Sequence, residues 1–133
     1  FTAAVDLASS LLAKAGGYAP YIVEKHHCHK LDAPSGTAKT LAAVVDKNMG
    51  IKPDVASVRV GEIAGIHTVG FEGGCDRITM EHEAFSRQGF AEGAVMAASM
   101  ADAQAEEIRV EHRSEDEREP MVHEFKELFI RTL

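Results

Sequence analysis

The chain has 133 residues, 45% of them hydrophobic and 26% charged, which suits one soluble domain and argues against disorder. No apolar run approaches the ~18 residues of a membrane span, and no basic stretch followed by an apolar run marks a secretory signal at the N-terminus. The net charge of −7 disfavours nucleic acid and anionic membranes as partners, although more than half of it lies in residues 105–133.

The chain opens on Phe rather than Met, which points to processing or to a longer parent. Residues 3–15 place Ala4, Leu7, Ala8, Leu11 and Leu12 on one stripe, and Gly16-Gly17 follow as a stop, so a helix is predicted. After Pro20, YIVEKHHCHK starts with aromatic and β-branched residues and no helix cap, which predicts a strand over 21–30. Pro34 breaks it, Ser35-Gly36 can cap, and TAKTLAAVVDKNM reads as a second helix ended by Gly50.

Residues 55–63, 65–73 and 76–85 are strand-like runs separated by Gly65 and Gly73-Gly74, the pattern of an antiparallel meander. Residues 90–105 are rich in Ala and Met and read as a helix. EIRVEH at 107–112 reads as a short strand, followed by a charged loop and an amphipathic helix over 120–133. Blocks of helices and mostly antiparallel strands predict an α+β fold, a mixed open sheet covered on one face by helices. The other face is then expected to pack against sister subunits.

The stretch EKHHCHKLDAPSGTAKT, residues 24–40, concentrates the chemistry. Cys28 and Cys75 are isolated thiols, which suggests a reducing, cytoplasmic compartment. On a strand, His26, Cys28 and Lys30 share one face while His27 and His29 share the other, so the cluster cannot converge on one zinc by itself. His67, His82, His112 and His123 stand at no familiar ligand spacing, and no metal site is expected. Two readings remain, one of ordinary strand histidines and one of an anion site. In the second, Ser35, Gly36 and Thr37 begin a helix whose N–H groups and dipole favour a carboxylate or phosphate. The P-loop spacing is absent. Lys30 adds positive charge, and an imidazole at His26 beside a bound anion suits a general acid.

The same stretch strongly resembles the Glu-x-His-His-x-x-Lys-x-Asp-x-Pro-Ser-Gly-Thr-Ala signature of the dihydrodipicolinate reductase (4-hydroxy-tetrahydrodipicolinate reductase) family. RVGEIAGIHTVGFEG is similar to that family's Arg-x-Gly-x-x-x-Gly-x-His strand pair, and HEAFSRQGFAEGAV to its Ser-Arg-x-x-Phe-Ala-x-Gly-Ala stretch. The resemblance covers roughly residues 20–40 and 59–97. It implies the substrate-binding and oligomerisation domain, spanning 1–133, of an enzyme that reduces a cyclic dicarboxylate with NADH or NADPH in lysine and diaminopimelate biosynthesis. It further implies His26 as general acid or base, Lys30 as a second proton donor, and His27, Lys30, Ser35, Gly36 and Thr37 as the carboxylate site. Arg87 and Phe90 would lie on the cofactor side, and Phe1 in what resembles the end of a cofactor loop. A homotetramer is the family's assembly.

There are departures. No Gly-x-Gly-x-x-Gly occurs, so the nucleotide domain is expected to lie outside this chain. Cys28 stands where the family often has Arg, and residues 105–133 do not match the family's C-terminal return. A catalytically silent dimerising or dicarboxylate-binding module of the same fold is the alternative.

Overall fold

The covered face of the sheet grades from apolar to polar along β1, and that gradient places the site. In the computed structural model, which describes residues 1–111 and side chains through 102, two units separate, residues 1–86 and the stretch from 87 onward. The first contains α1 (Thr2–Ala15), β1 (Ala19–His26), α2 (Gly36–Met49), β2 (Asp54–Arg59), β3 (Gly65–Glu72) and β4 (Arg77–Ala84). The second contributes α3 (Gln88–Glu111). No helix among the described residues is long and apolar enough to cross a membrane.

The sheet order is β2-β1-β3-β4, with β2 parallel to β1 and the other pairs antiparallel. The architecture is the expected α+β open sheet. The expected meander is not formed, because β2 returns through α2 to the outer side of β1, as a strand-helix-strand crossover requires. Residues 60–64 then pass the end of β1 to reach β3, and Val60 N–H bonds to His26 O at 3.0 Å and Cys28 N–H to Gly61 O at 3.0 Å.

The core is Val5 of α1, Ala38, Leu41 and Val45 of α2, Ile22 of β1, and Val69 and Phe71 of β3. The inward face of α1 is rotated from the predicted stripe. Val5 and Ser9 are buried and Leu12 packs on the core, whereas Leu7 and Leu11 are exposed. Ser9 can be buried because its hydroxyl donates to Asp6 O at 3.1 Å and lies 2.8 Å from Asn48 Nδ2. Asn48 also reaches Asp6 O at 2.9 Å, so one amide joins the two helices.

Across the sheet, Val55, Ile22, Val69 and Met80 form one row in register. The next row on the same face is Ser57, Glu24, His67 and His82, and beyond it His26 stands beside Arg59. Sheet pairing thus turns four separate sequence segments into one polar end.

In the second unit, residues 107–111 continue α3 instead of forming the predicted strand. No Gly or Pro lies between Gly93 and Glu111, and Ala, Glu, Gln and Arg outweigh the strand preference of Ile108 and Val110. The helix predicted over 120–133 lies outside the described residues.

Candidate functional site

Glu24 and His26 lie two apart on β1, so both point to the helix-covered face. Glu24 is 0% exposed. A lone carboxylate there would surrender its charge. Instead Oε1 accepts from Arg59 Nη2 at 2.7 Å, and Oε2 pairs with His26 Nδ1. Burial raises the Glu24 pKa, but hydrogen bonds from Arg59, Ser57 and His26 outweigh it and hold the carboxyl at about 2. Arg59 is itself fixed, donating to Asp32 O at 2.6 Å and to Val58 O at 2.8 Å.

His67 faces Glu24 across the β1–β3 ladder, and its ring meets that of His26 edge-on with centroids 5.1 Å apart. Burial, followed by the charge of His26, holds His67 below the ordinary histidine range, against the opposing pull of Glu24. Its Nε2 lies 3.1 Å from Ser35 Oγ, the same hydroxyl that accepts the Ala38 N–H at 3.2 Å and caps α2. The Ser35 hydroxyl is therefore occupied within the protein. Gly36 and Thr37 follow it, exposed, with N–H groups that precede the first intrahelical bond. They form the anion-favouring end of α2.

Because β1 ends at His26 rather than continuing to residue 30, the predicted strand-face partnership of His26 with Cys28 and Lys30 is replaced by a turn. The end of β2 causes this: once Arg59 is paired, residues 60–61 take the hydrogen bonds of His26 and Cys28 and the chain turns away. His27 is half-buried with its ring 6.2 Å from that of His29, while Cys28 and His29 are exposed. Lys30 Nζ bonds Asp32 Oδ1 at 2.7 Å, and Asp32 O holds Arg59, so Lys30 is tethered to the Glu24 cluster through the loop. The Lys30 ammonium holds the Asp32 carboxyl below its usual range.

The Phe1 ring lies 5.6 Å from the ring of His82, in the row of His67. Arg87 and Phe90 belong to the second unit, where Phe90 N–H and Ala91 N–H bond to Arg87 O at 3.2 and 3.3 Å in the first turn of α3.

Sequence reasoning gave no role to Glu24, Arg59, Gly65 or His67. The signals were present, since Glu24 stands two before His26 and the other three are among the four fixed positions of Arg-x-Gly-x-x-x-Gly-x-His. What was missing was the register that brings them together.

Among the described residues, two groups of side chains could hold a metal. Glu24, His26 and His67 are buried and bring donor atoms within 4.8 Å of one another, as do the exposed Cys28, His29 and Glu62. In the buried group both Glu24 oxygens, His26 Nδ1 and His67 Nε2 already have protein partners, so a cation would have to displace a connected network. The fit to a dinucleotide is also poor. The turn between β1 and α2 carries a single glycine, Gly36, where a pyrophosphate cradle needs several, and no redox step is derived from the described residues.

The family model described as dihydrodipicolinate reductase, C-terminus, matches residues 1–114, further into the C-terminal region than the motifs alone reach. The chain is 43% identical over 102 residues to the 4-hydroxy-tetrahydrodipicolinate reductase of Xanthomonas campestris pv. campestris (strain B100), covering 74% of this chain and 42% of that protein. To the enzyme of the same name from Stenotrophomonas maltophilia (strain K279a) it is 48% identical over 84 residues, covering 63% and 35%. It thus spans less than half the length of these relatives. A dipicolinate-bound dihydrodipicolinate reductase from Paenisporosarcina sp. TG-14 superposes with a TM-score of 0.54 at 26% identity, covering 68% of this chain and 43% of that one. Sequence match, motif and fold agree: the chain belongs to the dihydrodipicolinate reductase family and matches its C-terminal domain.

Proposed function

We propose that this chain is the substrate-binding domain of a reductase that converts 4-hydroxy-tetrahydrodipicolinate (dihydrodipicolinate) to tetrahydrodipicolinate in lysine and diaminopimelate biosynthesis. The observation that supports this reading is the chain of contacts from the His26 imidazole through His67 and Ser35 to the start of α2. His26 is fixed at the end of β1, and Ser35, bonded to the neighbouring His67, opens the helix that presents Gly36 and Thr37. One ring carboxylate would bind the N–H groups of Gly36 and Thr37, with Lys30 and His27 supplying further donors from the loop. His26 would exchange a proton with the ring, and Lys30 would serve as the second donor. The nicotinamide cofactor, NADH or NADPH, supplies the hydride, and Phe1, Arg87 and Phe90 are this chain's candidates for its rim. The working assembly is a homotetramer in the cytoplasm.

The test is calorimetric titration of pyridine-2,6-dicarboxylate into the chain. Binding is expected, and replacing His26 and Lys30 together by Ala should abolish it. No heat at millimolar ligand with the wild-type chain sinks the ligand site. The silent-module alternative is separated by joining the chain to the part of the Xanthomonas relative that it does not match. Substrate-dependent NAD(P)H oxidation by that fusion supports the reductase reading. A fusion that is folded and binds the dicarboxylate but does not turn over supports the silent module.

A further inference from the structure

We infer that Glu24, locked by Arg59, is the positioning residue of His26: it accepts the hydrogen bond of Nδ1–H and so fixes Nε2 as the nitrogen that exchanges protons with the bound ring. The inference deepens the proposed function and rests on it for the role of His26.

The geometry leaves Glu24 little else to do. A fully buried carboxylate on a strand is costly, and a Leu or Val at position 24 would extend the apolar row beside it. Two donors instead converge on it: the Arg59 guanidinium and His26 Nδ1. Arg59 can only donate, so Glu24 Oε1 must accept from it. A carboxylate held in its ionised form accepts on Oε2 as well, which leaves Nδ1 as the donor on His26. The tautomer of the neutral ring is thereby fixed as Nδ1–H, and its lone pair sits on Nε2.

Gly65 confirms which way that nitrogen faces. A β-carbon built on Gly65 would stand 3.2 Å from His26 Nε2 and 3.4 Å from His26 Cδ2. Glycine leaves the Nε2 side of the ring uncrowded. His67 closes another side, edge-on to the His26 ring and bonded through Ser35 to the start of α2. The ring is thus held at Nδ1 by Glu24 and flanked by His67, with a glycine facing the nitrogen left to react. Arg59, Gly65 and His67 are three of the four fixed positions of the second motif, and their convergence on the Glu24–His26 pair gives that motif a chemical role.

The test is nitrogen-15 NMR of the histidine rings in the 133-residue chain, at a pH where His26 is neutral. The wild-type chain should show the proton of His26 on Nδ1. Finding it on Nε2 overturns the inference without any variant. Glu24→Gln then discriminates. Its carbonyl oxygen must face Arg59, so its amide NH2 faces Nδ1, which has to become an acceptor. The Nδ1 proton should disappear and an Nε2 proton appear, a change that a merely structural role for residue 24 would not produce. An unchanged tautomer in a folded Glu24→Gln chain also overturns the inference. Pyridine-2,6-dicarboxylate added to the wild type should shift Nε2 strongly and Nδ1 weakly. A tautomer switch without any response to ligand overturns the proposed function while leaving the hold of Glu24 on the ring intact.

Discussion

Glu24 and His67 sit side by side across the β1–β3 ladder, both buried, and acid works against both. The Glu24 carboxyl is lowered from 4.5 to about 2 in the fold, so its stabilisation is complete above about pH 4.5 and is lost as pH falls toward 2. A depression of this size corresponds to roughly 3 kcal/mol. His67 is held neutral, its pKa lowered from 6.5, so the fold binds fewer protons there than the unfolded chain and stability declines as pH drops below about 6.5. Two windows follow, His67 opening the first and Glu24 the second. Denaturant titrations from pH 7 down to pH 3 should show stability falling in both. In Glu24→Gln the deficit relative to wild type should be largest at pH 7 and shrink below pH 4.5. A deficit that stays constant with pH rules out the charged Glu24 as its source.

The elements show where reading the sequence succeeds and where it stops. Helix α2 was legible because its signals are local: Ser35 caps its start, and Gly50 ends it in the left-handed conformation at φ 65 and ψ 21. The hairpin partners β3 and β4 were legible as separate runs for the same reason. The length of β1 was not. It stops at His26 because β2, which follows a whole helix later, runs out at Arg59, and no property of residues 27–30 announces that. The site was likewise half legible. His26, Lys30 and the Ser35-Gly36-Thr37 turn belong to one contiguous stretch, whereas Glu24's dependence on Arg59 and the Ser35–His67 bond exist only through sheet register. Ser35 joins the two kinds of information, since one hydroxyl both caps α2 and holds His67. Ser35→Ala should lower stability by about 1–2 kcal/mol, a cap together with the partner of a buried imidazole. Ser35→Thr should recover most of it. Thermal melts of the two variants check this, and an alanine variant within a few tenths of a kcal/mol of wild type would contradict the shared role.

At the scale of the molecule, the sheet is unequal on its two faces. Helices α1 and α2 provide the core on one side. The opposite face of β2, β1 and β3 carries Ala56, Val58, Tyr21, Val23 and Ile66, with Lys25 among them, and β4 adds Glu81 and Glu83 along one edge. Tyr21 lies flat against Gly70, where a β-carbon would meet its ring at 2.2 Å, so the face is levelled at its middle strands. A level apolar strip next to a lysine and bordered by carboxylates suits a copy of itself turned by a two-fold axis, because the strip then meets the strip and each Lys25 can approach the partner's acidic edge. This is the physical basis for expecting the tetramer of the proposed function to use that face. Sedimentation of the wild-type chain at micromolar concentration should report an oligomer. Val23→Glu, which puts a charge in the middle of the strip without touching the core, should release monomers whose circular dichroism is unchanged. A wild-type chain that sediments as a monomer, or a Val23→Glu chain that keeps the wild-type oligomer, removes this face from the assembly. The site itself makes a separate demand, because His26, Glu24 and Arg59 point to the helix-covered side. Released monomers should therefore still bind pyridine-2,6-dicarboxylate, and a loss of binding that tracks dissociation would mean that the partner copy completes the site.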